Sequence, residues 1–190
     1  MTVILYSYIK SLLNDNENIL DVFKIDREDS KNGKVFRCTC GYSGKAEDKK
    51  TPEGMKRASV EQIEYVFYVP ESWVCDAEVG VSDGYCPEDN TNISMTSFIP
   101  DTSMTVASYF DICEAKYMSE LENYKREPAT TTREVYTRPA TTYVYTFTVD
   151  GVEIKVSQTV FTFDSAFYTV TYTARAENFD AHIAERDAML

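Results

Sequence analysis

The clearest pattern in the chain is a set of three alternating apolar and polar runs between residues 140 and 174. In the first, Tyr143, Tyr145, Phe147 and Val149 fall on one face, and Asp150-Gly151 turns the chain. The second carries Val152, Ile154 and Val156, then Thr159, Phe161 and Phe163. Asp164-Ser165 leads into the third, Phe167 to Ala174. Period-two alternation broken by Asp-Gly predicts antiparallel hairpins. From Pro128 to Ala174, 30 of 47 residues are Thr, Tyr, Val, Phe or Ile, so the region as a whole reads as strand. Such side chains suit a half-buried pleated surface.

Upstream the pattern is shorter in period and more varied. Met55 to Ser59 predicts a short strand. Glu64 to Val69 alternates around Tyr65, Phe67 and Val69 and stops at Pro70. Trp73 to Val81 and Tyr85 to Cys86 form a predicted hairpin, and Asn92 to Ile99 a strand ended by Pro100. A helix is predicted from Thr105 to Tyr124, because Val106, Phe110, Cys113, Tyr117, Leu121 and Tyr124 recur at helical spacing. They make one apolar stripe for packing on a sheet. Thr102 or Ser103 is the expected cap. A last helix runs from Asn178 to Met189, with Phe179, Ile183 and Leu190 inward. This order predicts an α+β fold: a mostly antiparallel sheet flanked by helices, an α/β/α sandwich, over residues 54–190. Residues 41–53 are small and charged and read as a flexible linker, and residues 1–40 are weakly patterned.

At 43% hydrophobic and 13% aromatic, the chain carries enough apolar surface to fold. Charge divides it. Residues 1–51 hold 9 Lys/Arg and 8 Asp/Glu, leaving 10 and 23 for the remainder. So acidic a domain repels phosphate backbones and anionic lipid surfaces, which argues against nucleic acid as a partner. A protein or a cell-envelope component remains as the expected partner. No apolar run reaches the roughly 18 residues of a membrane span. Met1 to Leu13 lacks the basic start of a signal peptide.

The candidate chemistry is sparse. Five cysteines are present, Cys38, Cys40, Cys75, Cys86 and Cys113, and an odd number argues against a pure disulfide framework. Cys113 lies on the helical stripe as a small core residue. Cys75 and Cys86 flank the predicted hairpin; a turn centred on Gly80-Val81 sets them opposite and permits a disulfide, whereas a turn at Asp83-Gly84 does not. Cys38-x-Cys40 is half of a zinc spacing with no second half, so no metal site is predicted. Asp83, Glu88, Asp89 and Asn90 make an acidic loop near Cys86 without the spacing of a calcium loop. His182 is the single histidine, beside Asp180 and Glu185, with no evident nucleophile or base to complete a catalytic set. Neither a glycine-rich phosphate loop nor a Gly-x-Ser-x-Gly elbow occurs. Trp73 and the tyrosines of the domain read as packing pairs before binding anchors. No catalytic residue and no cofactor are nominated, and the chain reads as non-enzymatic.

Several stretches carry a family likeness. Thr51-Pro52-Glu53-Gly54-Met55 leads into Tyr65-Val66-Phe67-Tyr68-Val69-Pro70-Glu71-Ser72-Trp73. Asn92-Ile93-Ser94-Met95, the long helix, Phe167-Tyr168-Thr169-Val170-Thr171-Tyr172-Thr173-Ala174 and Glu177-Asn178-Phe179-Asp180-Ala181-His182 come after it. Over residues 52–190 this resembles the PsbP-like / DcrB-like superfamily, in particular small extracytoplasmic PsbP-related lipoproteins of Gram-positive anaerobes. The resemblance implies an antiparallel sheet between helices that serves as a binding or assembly module without known catalysis. Cys40-Gly41 followed by a polar linker resembles the start of a mature lipoprotein, which makes Cys40 the implied site of lipid attachment. Arg37-Cys38-Thr39 departs from a lipobox, and no apolar segment precedes it. The expectation is therefore an extracytoplasmic, lipid-anchored module, with residues 1–39 from a mis-called start or recombined 5′ end. A genuine start at Met1 implies a cytoplasmic protein instead. The alternatives are a soluble module for a small ligand or cation, or a hydrolase using acidic residues.

Overall fold

The computed structural model describes residues 51–59, 65–75, 82–99, 104–135 and 137–190. The chain divides into two units, Met1–Pro52 and Glu53–Leu190. The strands of the second unit are β1 (Met55–Arg57), β2 (Tyr68–Pro70), β3 (Val74–Cys75), β4 (Ser82–Tyr85), β5 (Asn92–Phe98), β6 (Glu122–Arg126), β7 (Thr131–Val135), β8 (Arg138–Val149), β9 (Val152–Phe163) and β10 (Ala166–Arg175). Helix α1 is Val106–Glu120 and helix α2 is Ile183–Met189. Strands β3-β4-β5-β10-β9-β8-β6 form one sheet in that order, with β7 pairing the other half of β8. Each of these pairings is antiparallel, and β1 and β2 form a separate antiparallel pair. The fold is α+β, as the alternation predicts.

The two predicted hairpin turns are present. Asp150 and Gly151 take φ of 48° and 78°, Asp164 and Ser165 45° and 70°. Paired left-handed residues of this kind match the twist of the strands they join. The register Tyr145↔Val156↔Thr173 and its neighbours then sends alternate residues to opposite faces. Tyr143, Tyr145, Phe147, Ile154, Val156, Val160 and Phe167 share the face that α1 covers. Phe110 stacks on Tyr143 with centroids 3.7 Å apart, Tyr117 on Tyr145 at 5.3 Å, and Tyr109 on Phe167 at 4.8 Å. Burial pushes the Tyr109 hydroxyl up to about 12 and raises that of Tyr117 as well. Phe161, Tyr168, Val170, Tyr172 and Ala174 fall on the opposite face. There they join Phe67, Val69, Trp73, Ile93, Met95, Phe179 and Met189 in a second core. This side is covered jointly by β1, β2, their flanking loops and the short α2.

Helix α1 ends earlier than its stripe suggests. Leu121 is already extended (φ −101°, ψ 126°), and Glu122 starts β6. The helical period runs on because Leu121 is buried at the helix end and Tyr124 reaches the same core from β6. Tyr124 lies 6.2 Å from Tyr117 and 5.3 Å from Tyr145, and its hydroxyl donates to Glu114 Oε1 at 3.0 Å. The cap is Thr105 rather than Thr102 or Ser103. Its Oγ1 accepts from the Ser108 N–H at 3.1 Å, and Ser108 Oγ accepts from the Thr105 N–H at 2.9 Å. The last helix is also shorter than predicted: a 3-10 turn over Ala176–Asn178 and a bend precede Ile183.

The hairpin at Cys75 and Cys86 takes neither predicted register. Val74 faces Tyr85 and Cys75 faces Gly84, which puts Cys86 on a diagonal two residues away. Diagonal neighbours stand about 7–8 Å apart, beyond ordinary disulfide reach. Cys75, Cys86 and Cys113 are free thiols. Gly84 is required for a different reason: a Cβ there would meet Val69 Cγ1 at 2.8 Å, and Val69 is fully buried. Gly84→Ala is expected to cost about 1–3 kcal/mol in urea unfolding. Combining it with Val69→Ala should cost clearly less than the two changes summed, because the second removes the clash created by the first. Strict additivity would contradict this packing.

Candidate functional site

The turn between β4 and β5 and the start of α2 meet at one end of the second core. Cys86-Pro87-Glu88-Asp89-Asn90-Thr91 closes on itself: the Cys86 N–H donates to Thr91 O at 2.8 Å and the Asn90 N–H to Cys86 O at 2.9 Å. Asn90 adopts the left-handed conformation, φ 61°. Asp89 Oδ1 accepts from the Thr91 N–H at 2.9 Å, a local turn bond that orients the carboxylate. The buried Cys86 side chain is part of the core.

His182 arrives from the other side. Tyr172, on β10, donates its hydroxyl to Phe179 O at 2.8 Å, and the two rings meet at 5.2 Å. That contact ties the bend before α2 to the sheet. The Ala181 N–H donates to Asn178 O at 3.0 Å, and the Arg186 N–H to His182 O at 2.9 Å, so His182 opens the helix. Its ring stands edge-to-face with Trp73 at 5.7 Å. Nδ1 hydrogen-bonds Glu185 Oε2, and Nε2 lies 3.4 Å from Asp89 Oδ2. The result is a Cys86, Asp89 and His182 cluster whose ligand atoms all lie within 4.8 Å of one another. Burial pushes the Cys86 thiol up, and the Asp89 carboxylate adds to that.

In the sequence these groups belong to separate features. The acidic loop does not act as a unit: Asp83 is buried and engages the Asn92 amide, Glu88 is exposed, and Asp89 alone faces the histidine. His182 pairs with Glu185, one of its two expected neighbours, but its second carboxylate is Asp89, about ninety residues earlier. The available signals were two pairs at matching spacing, Cys86-x-x-Asp89 and His182-x-x-Glu185. Trp73 is a core anchor, as expected, and among the described residues no acceptor meets its Nε1. Cys38 and Cys40, with the weakly patterned segment and most of the linker, lie outside the described residues.

Beside the cluster, Arg186 reaches Ser157 Oγ at 3.3 Å and lies over the Tyr172 ring at 5.7 Å. Arg133 and Arg186 both bond Asp187 Oδ1 at 2.8 Å.

The fold defined by these elements is PsbP-like. No protein-family model and no curated protein sequence matches the chain. Solved structures do. CyanoP from Synechocystis sp. PCC 6803, a cyanobacterial PsbP, is 17% identical with a TM-score of 0.53, covering 72% of this chain and 89% of that one. LpqN of Mycobacterium tuberculosis, described as involved in cell envelope biogenesis, is 10% identical with a TM-score of 0.52, covering 71% and 86%. PA94 of Pseudomonas aeruginosa, of unknown function, is 14% identical with a TM-score of 0.50, covering 71% and 93%. Among the described residues, no helix is long and apolar enough to cross a membrane.

The Asp187 pair carries a pH signature. Burial by itself would raise its pKa, but the hydrogen bonds and charges of Arg186 and Arg133 hold it below the ordinary value. A lowered folded pKa contributes stability above the unfolded value, lost as pH falls through the folded one. The stability gap between wild type and Asp187→Asn should therefore be present at pH 6 and shrink below about pH 4. Thermal midpoints across that range measure it; a gap that grows on acidification would contradict the assignment.

Proposed function

We propose that this chain is a non-enzymatic binding or assembly module that works outside the cytoplasm, held to a membrane by lipid on Cys40. The likeness of its fold to CyanoP and LpqN over more than two thirds of the chain carries the reading. LpqN is described as involved in cell envelope biogenesis. Fold alone does not transfer function, so the reading also draws on the sequence around Cys40. Cys40-Gly41 precedes a polar stretch of the kind that tethers a folded domain to a lipid. The acidic domain then stands away from an anionic bilayer, and its partner is a protein or an envelope polymer.

A second reading, a module for a small ligand or cation, is favoured by one observation, the convergence of Cys86, Asp89 and His182.

Expression of the native gene from its own upstream region, followed by intact mass of the membrane fraction, tests the anchor. The expected product starts at Cys40, carries an added diacylglyceryl mass, and leaves the membrane fraction when Cys40 is replaced by serine. A soluble chain beginning at Met1 would overturn the extracytoplasmic reading.

A further inference from the structure

We propose that Cys86, Asp89 and His182 form a divalent metal site, with zinc the ion their chemistry fits best. This goes beyond the anchored-module reading and does not depend on where the protein resides.

The histidine tautomer points to a cation. With an ionised Glu185 accepting from Nδ1, a neutral ring carries its proton there and presents a lone pair at Nε2. That lone pair faces Asp89 Oδ2, another acceptor, at 3.4 Å. A positive charge between or upon two acceptors at this distance satisfies both. A second ring proton would supply one; a metal ion supplies one that also engages the nearby thiol. Glu185 then has the place of the carboxylate that commonly orients a metal-binding imidazole from its far side.

The spacing of the donors fits zinc. Donors around the tetrahedral ion stand roughly 3.3–3.8 Å apart, from bonds of about 2.0–2.3 Å. The nitrogen–oxygen pair already meets that separation, and the full set spans 4.8 Å at most. Thiolate, imidazole and carboxylate together suit zinc better than magnesium or calcium, which take oxygen ligands. Three protein donors leave one position for water or a ligand group.

A cysteine nucleophile with a histidine base is the competing use of the same side chains. Cys86 is 5% exposed, which places its thiol poorly for attack on a substrate, and burial with Asp89 nearby disfavours the free thiolate. A metal reverses that last effect, because coordination deprotonates the thiol outright.

Cobalt(II) and zinc titrations of the full chain with Cys38→Ser and Cys40→Ser test the site, since those changes remove the other closely spaced thiols. One equivalent of cobalt should bind with a thiolate charge-transfer band that zinc abolishes. Cys86→Ser should remove the band, and His182→Gln should remove saturable binding. Asp89→Asn keeps the turn acceptor for Thr91 and is the variant safest for folding; it too should lose tight binding while its thermal midpoint without metal stays near wild type. Glu185→Gln should retain the band and weaken binding about 10–100-fold. Absence of the band, its persistence in Cys86→Ser, or wild-type affinity in folded Asp89→Asn would overturn the proposal.

Discussion

Strands β9 and β10 are covered on both faces, and the placement of the other elements stems from that requirement. Ile154, Val156 and Val160 are buried on one face of β9, and Ser157, Thr159 and Phe161 on the other. A strand of this kind needs a layer above and a layer below. Helix α1 supplies one through an aromatic surface, Tyr109, Phe110 and Tyr117. Among the described residues, the second layer holds no long helix. It is assembled from β1, β2, Trp73, Phe179 and α2, short pieces brought from both ends of the domain.

That patchwork layer is what creates the site. Tyr172 belongs to the core through its ring and holds Phe179 through its hydroxyl, so the same residue closes the sheet and sets where α2 begins. His182 comes three residues later, against Trp73. The β4–β5 turn brings Cys86 and Asp89 to the same place because β5 pairs with β10 along its full length. A thiol, a carboxylate and an imidazole meet where the end of the chain is docked on the sheet. Binding there would also join the terminal helix to the β4–β5 turn, and an ion that binds the folded state alone stabilises it by mass action.

Legibility in the sequence tracked the range of the interactions. The β8–β10 hairpins were readable because alternation and the Asp-Gly turn are local. The α+β architecture comes from element order. The stripe of α1 was readable too, but not its end: Leu121 fits the helical period as the extended cap residue, and Tyr124 fits it from β6, where it packs on the same tyrosines. The cap lies two or three residues later than expected because Thr102, Ser103 and Thr105 all have capping side chains, and it is Thr105 that meets Ser108 reciprocally. Cys75 and Cys86 differ from a bridged pair by a shift of register that no local residue encodes. The cluster was least legible of all, since its members are joined only through the β5–β10 pairing and the Tyr172 hydroxyl.

His182 is the single histidine of the chain, so its ring nitrogens can be observed without ambiguity in an untagged, nitrogen-labelled protein. Long-range nitrogen–proton spectra recorded with and without one equivalent of zinc report both tautomer and coordination. A metal site of this geometry predicts a proton on Nδ1 and a zinc-dependent shift confined to Nε2. An Nε2-protonated ring, or a spectrum unchanged by zinc, would contradict it.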